Sequence, residues 1–438
     1  MKLKIILYIM LFPVAAFSQE VWTLQRCLDE GRKNSLDIQL RELDIVSAKA
    51  TYRSPGMDFL PKVDFSASHN YSIGSTIDPA TNNRVSSNIQ TDNFSLNASL
   101  TLLDLNVFTQ ARRNKLAVLR ANADKEATAT EYSLSIMENY FNALYTQELL
   151  KVQLAQFENA VYNLKRIEKE TELGSRPKSD LYDMQVSYAL EENGIIETRQ
   201  LLYNRKLQLI QLMNATGLSP DAMILDTKGY AEAFAENSDP VYENALKNYP
   251  AIVSAQLAED IARKEMKMQK NKYLPVLGAY YSYSSFYYLP LNGLGTQGVN
   301  PFWTQLDDNK NHYVGVQLNV PIFNGLRNHR DVQVAKIEYQ KKTVEAEQEK
   351  IKLRQLIEQE TAKLQQAREI AQKLEKARTY ADRSFTAAQA KFTHGLIEAV
   401  VFSASKNQLL TAEYDLLKAK YTVTYLTLKL KFIEHNAI

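Results

Sequence analysis

Two stretches of this chain, 105–172 and 326–393, contain neither proline nor glycine and have equal lengths. Proline breaks a helix interior and glycine weakens it, so each stretch predicts one uninterrupted helix. At the α-helical rise per residue each helix is about 100 Å long. Average globular helices have only ~11–12 residues, so the matched pair predicts an elongated helical protein.

Apolar residues in both stretches recur at steps of three and four, which is the spacing of helices packed along a seam. Each stretch ends at a glycine, Gly174 in the first and Gly395 in the second. Glycine past a helix end and proline near the next start are the usual signals of a turn. We therefore predict tight turns that lead into antiparallel helices at 177–214 and 398–432.

Four other segments alternate apolar with small polar residues: about 62–73, 92–103, 275–285 and 313–323. This period of two predicts β-strands. Their lengths suit tilted transmembrane strands of roughly 9–11 residues, with the polar side facing a water-filled lumen. A half-buried sheet in a soluble protein gives the same pattern for any one strand. Four such strands, in a chain whose first 18 residues predict export, favour a transmembrane β-barrel.

Two connections between the strands are polar or aromatic. Segments 74–91 and 286–312 predict long external loops, because they are rich in Ser, Thr, Asn, Asp and Gly. The aromatic-rich segment 280–288 predicts a girdle at a membrane interface, and a stacking surface for a ligand is the alternative.

The first 18 residues predict a secretory signal peptide. Lys2 and Lys4 precede an apolar run, and Ala16 and Ser18 suit a cleavage site after Ser18. The alternative is a membrane-anchoring helix, for which the apolar run is short. Removal of this segment brings the formal net charge from +2 to zero. The chain thus lacks the basic excess of a nucleic-acid binder.

The two halves of the mature chain repeat each other in the order helix, strand, strand, long helix, turn, helix. Phe59-Leu60-Pro61 corresponds to Tyr273-Leu274-Pro275 at the same offset as other matched positions. We predict a first repeat at 19–217, a linker at 218–239 and a second repeat at 240–438.

Four strands cannot close a barrel, and open edges in lipid leave backbone groups unpaired at a cost of several kcal/mol each. Copies of the chain must therefore share one barrel, of eight, twelve or sixteen strands for two, three or four chains. The wider barrels leave a channel.

This plan resembles the TolC-like outer membrane efflux protein family. The residues that match its habits are Phe59-Leu60-Pro61 and Tyr273-Leu274-Pro275 before strands, and 320–325 after the fourth strand. Leu173-Gly174-Ser175 resembles the first hairpin turn of the family, and Gly395 with 399–404 resembles the second.

The resemblance implies an α+β membrane protein in the bacterial outer membrane. It implies a homotrimer with a twelve-stranded transmembrane β-barrel, four strands per chain, continued by a long periplasmic α-helical barrel. Such a protein is the exit duct of a tripartite efflux or type I secretion system. Its partners are a periplasmic adaptor and an inner-membrane transporter.

The candidate entrance and adaptor contact consists of residues at the two hairpin turns. They are Gly174, Ser175, Asp180, Asp183, Gly395 and Glu398. Several family members carry acidic residues after the second glycine, whereas this chain has its acidic pair in the first hairpin. Asp180 and Asp183 are our candidates for shaping the entrance and its ion affinity. The alternative is that they are ordinary acidic residues at a helix N-terminus.

Catalysis finds no support in the sequence. The five histidines are scattered, one cysteine excludes an internal disulfide, and no nucleophile or phosphate-binding motif occurs. The pair Glu191-Glu192 is predicted to lie on a solvated helix face. We predict no catalytic residue, cofactor or metal site. The alternative function is an exported structural or adhesive coiled-coil protein. A periplasmic adaptor is not favoured, because it would need a lipoyl-like β domain and no such segment is visible in the sequence.

Overall fold

The computed structural model describes residues 20–52, 54–77, 82, 84–86, 88–227, 238–291 and 299–436. The predicted signal peptide at 1–18 lies outside the described residues, as do parts of the predicted linker and of both predicted loops. No helix in this part of the chain has a stretch long and apolar enough to cross a membrane.

The described residues are mostly helical. The helices are α1 (Leu24–Asn34), α2 (Leu36–Thr51), α3 (Pro55–Asp58), α4 (Leu105–Glu172), α5 (Lys178–Leu212), α6 (Ser238–Asn248), α7 (Pro250–Asn271), α8 (Phe302–Asp308), α9 (Arg327–Thr393) and α10 (Ala399–His435). The strands are β1 (Glu20–Trp22), β2 (Lys62–Ser72), β3 (Ser75–Ile77), β4 (Arg84–Ser86), β5 (Ile89–Leu103), β6 (Met223–Leu225), β7 (Val276–Pro290) and β8 (Asn311–Asn319).

The chain divides into two compact units. The first contains the described parts of 1–43, 123–254 and 348–438, and the second contains 44–122 and 255–347.

In the first unit, the short strands β1 and β6 pair in parallel. The amide of Gln147 on α4 pairs with the outer edge of β6, because its Nε2 donates to the Leu225 carbonyl at 2.9 Å and its Oε1 accepts from the Leu225 N–H at 3.0 Å. The Nζ of Lys206 donates to the carbonyl of Met223 at 2.5 Å. These buried side chains take the place of further strands, and burial lowers the pKa of Lys206.

The largest core cluster of this unit packs α1 and the middle of α4 around the two short strands. Tyr140, Met137 and Leu144 are fully buried in it. Gly31 lets α1 approach α4 closely, since a Cβ at this position would lie 2.3 Å from Cδ1 of Ile136.

The buried thiol of Cys27 provides a test of this core. Burial raises its pKa from 9.0 to about 12, and alkylation requires the thiolate. At pH 8 we expect the folded protein to react about a thousandfold more slowly than the unfolded chain. Mass spectrometry after iodoacetamide treatment measures the rate at which Cys27 is alkylated. Rapid alkylation of Cys27 in the folded protein would contradict its burial in the core of the first unit.

The raised pKa of Cys27 also makes the stability depend on pH. It stabilises the fold below pH 9, and this contribution is lost as the pH rises towards 12.

In the second unit, four antiparallel strands form a sheet in the order β2-β5-β7-β8. The register aligns Phe65 with Leu96, Leu96 with Tyr283 and Ala279 with Val316. One face of the sheet is therefore apolar, and much of it is exposed, with Phe65 at 67% and Val316 at 69%.

The opposite face of the sheet is polar. Ser66 and Ser95 share a hydrogen bond of 2.6 Å between their hydroxyls, and the Ser282 hydroxyl donates to Asn97 Oδ1 at 2.8 Å. Gly315 leaves room on this face for the side chain of Tyr280. A Cβ at position 315 would lie only 2.5 Å from the Tyr280 hydroxyl oxygen.

The strand ends differ from those that the sequence predicts. The fourth strand ends at Asn319 rather than near 323, because Pro321 has no N–H for a further ladder bond. Two strands extend into the predicted loops: β5 begins at Ile89 and β7 continues to Pro290, and these two residues pair. The strands β3 and β4 pair within the first predicted loop, and α8 lies within the second.

Helix α8 covers the edge of β7 beyond the reach of β8. Gln305 Nε2 donates to the Tyr288 carbonyl at 3.0 Å, and its Oε1 accepts from the Tyr288 N–H at 3.0 Å. Asn309 donates to the carbonyl of Phe286 at 2.9 Å. An edge strand that would otherwise be open is thus satisfied by side chains.

Candidate functional site

Both long helices end in the same hydrogen-bonded turn. At the first turn Gly174 has φ of +72°, and the N–H of Ser175 donates to the carbonyl of Glu170 at 2.9 Å. At the second turn Gly395 has φ of +73°, and the N–H of Leu396 makes the equivalent bond at 2.9 Å. This is the Schellman motif, in which glycine adopts a left-handed conformation at no steric cost.

A small core joins the four helices at these turns. The rings of Phe392 and Phe402 stack with centroids 4.5 Å apart, so α9 packs directly on α10. Ile167 of α4 and Met184 of α5 are buried in the same cluster. The two hairpins therefore share one packed core at their turns.

Arg176 lies at the centre of this structure. Its Nε donates to Glu170 at 3.1 Å, and another guanidinium nitrogen donates to Asp180 Oδ2 at 3.1 Å. A third nitrogen donates to the carbonyl of Phe392, and the guanidinium lies 4.4 Å from the centre of the Phe392 ring. Its side chain is only 9% exposed. Arg176 thus ties the first turn to the end of α9.

Asp180 continues this link to α10. Its Oδ2 binds Arg176, and its Oδ1 accepts from the N–H of Ala399 at 3.4 Å. Ala399 is the first residue of α10, whose first amide groups have no partner within the helix. Glu398 at the N-cap makes no side-chain bond to the helix, so Asp180 of the other hairpin supplies a cap.

The structure separates the two acidic residues that the sequence singles out. Asp180 is 4% exposed and is used in the link between the hairpins. Asp183 and Glu398 are exposed. The Ser175 hydroxyl donates to the carbonyl of Glu170 at 2.7 Å, which is a bond within the first turn.

The sequence analysis did not identify Arg176 as a site residue. Its position two residues after the turn glycine and directly before Pro177 is a local signal for such a role. A long side chain held beside a rigid turn can reach the neighbouring hairpin.

A second, largely buried ion pair was not predicted from the sequence. The Nζ of Lys406 on α10 lies 2.8 and 2.9 Å from the two carboxylate oxygens of Glu191 on α5. The interpretation of Glu191 as a solvated residue is wrong, since its side chain is 14% exposed. Burial, with the nearby carboxylates of Glu191 and Glu413, raises the pKa of Tyr414 to about 12.

Apolar side chains project from the turns. Leu173 is 75% exposed and Leu396 is 72% exposed, and each adjoins a turn glycine. Tyr182, near the start of α5, is 60% exposed, and Val400, in the first turn of α10, is 52% exposed. Both turns thus carry exposed apolar side chains.

Within the described residues, no group of three or more His, Cys, Asp or Glu side chains could hold a metal ion.

The chain matches known proteins over most of its length. A sequence model of the family described as "Outer membrane efflux protein" matches residues 27–215 and 241–432. Alkaline protease secretion protein AprF of Pseudomonas aeruginosa is 24% identical over 328 residues, which cover 73% of this chain and 66% of AprF. Cation efflux system protein CusC of Escherichia coli is 25% identical over 333 residues, with the same coverage of both chains. In both cases the match spans just under two thirds of the relative.

A solved structure of CusC has a similar fold. It superposes with a TM-score of 0.77 at 17% sequence identity, over 94% of this chain and 91% of that chain. The fold of most of this chain is thus similar to that of CusC.

Proposed function

This chain belongs to the outer membrane efflux protein family, and from that membership we propose that it is the outer-membrane exit duct of a tripartite efflux or type I secretion system. The observation that carries the proposal is the four-stranded sheet, which has an exposed apolar face and a hydroxyl- and amide-lined opposite face. A sheet of this kind suits a barrel wall, with lipid on one side and water on the other.

The edges of this sheet support a barrel built from several chains. Strands β2 and β8 stand at the two ends of the sheet, each paired on one side only within the described residues. Edges in lipid need partners. Three copies joined from β2 to β8 would form a twelve-stranded barrel wide enough for a channel. In this homotrimer α4, α5, α9 and α10 would form the periplasmic α-helical barrel. Each half of the chain would contribute two strands and two of these helices, as the predicted repeat requires.

The hairpin turns are the proposed entrance and docking surface. The exposed Leu173 and Leu396 would contact a periplasmic adaptor, which in turn would hold an inner-membrane transporter. Arg176 and Asp180 would keep the two turns in a fixed arrangement for this contact. The duct itself uses no energy source in this proposal.

The cargo is proposed to be set outside this chain. One relative is named for secretion of a protease and another for efflux of cations. The polar face of the sheet carries hydroxyl and amide groups such as Ser66, Ser95 and Asn97, and also the carboxylate of Asp64, which accepts a hydrogen bond from Asn97 at 3.4 Å. Such a wall would offer hydrogen bonds to polar cargo as it passes.

Fractionation and reconstitution test the proposal together. We expect the protein in the outer-membrane fraction, with an oligomeric band in unheated gels that dissociates on boiling. Purified protein is expected to give ion-conducting channels in planar bilayers. Recovery as a soluble filament without conductance would favour an exported coiled-coil structural protein instead.

The acidic residues at the entrance can be tested separately. Because Asp183 is exposed and Asp180 is paired, we expect Asp183→Asn to weaken block of the channel by divalent cations, with stability changed by no more than about 0.5 kcal/mol. Single-channel recordings at increasing Mg²⁺ concentration measure the block. Unchanged block in Asp183→Asn would exclude this carboxylate as a cation site. The exposed Glu398→Gln variant shows whether a second entrance carboxylate contributes.

A further inference from the structure

Helix α8 and the apolar face of the sheet together form a groove. The Ser285 hydroxyl donates to the carbonyl of Leu306 at 2.7 Å, which holds the helix against β7. The ring of Phe302 lies 6.1 Å from that of Phe94 and 5.0 Å from that of Tyr287, measured between centroids. The helix is thus fixed to the sheet by aromatic contacts as well as by a hydrogen bond.

The groove between them has a volume of about 310 Å³. Its apolar lining comes from both the sheet and the helix: Phe65, Phe94, Leu96, Tyr283, Trp303 and Leu306. Small-molecule sites begin at roughly 300 Å³ and are mostly apolar, so the groove has the size and the lining of a binding site.

Two features of the rim point to one kind of occupant. Trp303 is 78% exposed, and tryptophan favours the boundary between acyl chains and headgroups. Asp307 and Lys310 also line the groove and form an ion pair with each other, while 71% and 43% of their side chains remain accessible. One cation beside one carboxylate complements a headgroup that carries both signs.

We propose that this groove holds one acyl chain of a zwitterionic bilayer phospholipid, with its phosphate beside Lys310 and its ammonium group beside Asp307. The proposal rests on the proposed function, which places the apolar face of the sheet in the membrane. The groove is continuous with that face through Phe65 and Leu96, which are 67% and 39% exposed. A lipid chain can therefore enter from the surrounding bilayer without crossing water.

The chain has two tryptophans, which makes fluorescence quenching a direct test. Trp22 is 5% exposed in the core of the first unit, whereas Trp303 lines the groove. In nanodiscs of phosphatidylcholine brominated on its acyl chain, we expect quenching of Trp303 in the Trp22→Phe variant. The Trp303→Phe variant, which retains only Trp22, is expected to keep its emission. Equal quenching of both variants, or of neither, would contradict the placement of Trp303 in lipid.

A groove-narrowing variant separates a bound lipid from general contact with the bilayer. Leu96→Phe reduces the volume of the groove. Val314→Phe also introduces a phenyl ring on the apolar face, but Val314 does not line the groove. After purification in detergent, native mass spectrometry with added phosphatidylethanolamine is expected to show severalfold less retained lipid for Leu96→Phe than for Val314→Phe. Equal retention of lipid by the two variants would contradict lipid binding in the groove, while the placement of the apolar face in the membrane would still stand. Absence of the protein from the membrane fraction would instead overturn the proposed function.

Discussion

Replacing Arg176 with alanine is expected to destabilise the packed hairpin turns by about 3–5 kcal/mol, because removal of one partner leaves a buried charge without compensation. Asp180 is 4% exposed and would lose its guanidinium partner, and the carbonyl of Phe392 would lose a donor. Amide hydrogen exchange in the peptides around the two turns measures the effect. Local opening should become roughly a hundredfold more frequent or greater.

The control for this variant removes an arginine from an exposed ion pair. Arg263 lies 2.5 Å from Asp260, with side chains 56% and 42% exposed, and such pairs contribute at most about 1 kcal/mol. Arg263→Ala should therefore leave exchange at the turns unchanged. The double variant Arg176→Ala/Asp180→Asn should exchange more slowly than Arg176→Ala, since it no longer contains the unpaired carboxylate. If the double variant were no better than the single one, the charge pair would not explain the stability of the turns.

The contrast between the turns and the link across them shows what local sequence signals can predict. Gly174 and Gly395 follow uninterrupted helical stretches, and a helix end needs a residue that tolerates positive φ. That requirement is local, so the sequence indicates both turns. The contact between Arg176 and Phe392 joins residues 216 positions apart. It depends on how two hairpins pack, and no spacing along the chain encodes it.

The strands show the same division. Alternation predicts which residues share a face, and Val316 lies among apolar neighbours such as Ala279 in the register of the sheet. Alternation does not predict where pairing stops. Strand β7 continues to Pro290 because β5 supplies partners on one side and Gln305 of α8 supplies them on the other. The end of a strand is thus decided by tertiary contacts beyond its own sequence.

Arginine at position 316 provides the strongest test of the membrane-facing side of the sheet. Val316 lies in the middle of β8 and is 69% exposed in the chain. Arginine at such a position would be tolerated if the face met water. If the face meets the middle of a bilayer, Val316→Arg should cost about 2–4 kcal/mol. We expect a lower urea midpoint for refolding into phospholipid vesicles and less heat-modifiable oligomer in outer membranes.

The neighbouring residue supplies the matched control. Gln317 is also exposed, but it pairs with Gly278 and lies on the polar face, since successive residues of a strand point to opposite sides. Gln317→Arg introduces the same side chain one position away, where a water-filled lumen would accept it, so its urea midpoint should stay near that of the unmodified protein. If both variants refold equally well, the apolar face does not contact lipid and the exit-duct proposal loses its principal support. If Gln317→Arg alone is destabilised, the two faces have been assigned to the wrong sides.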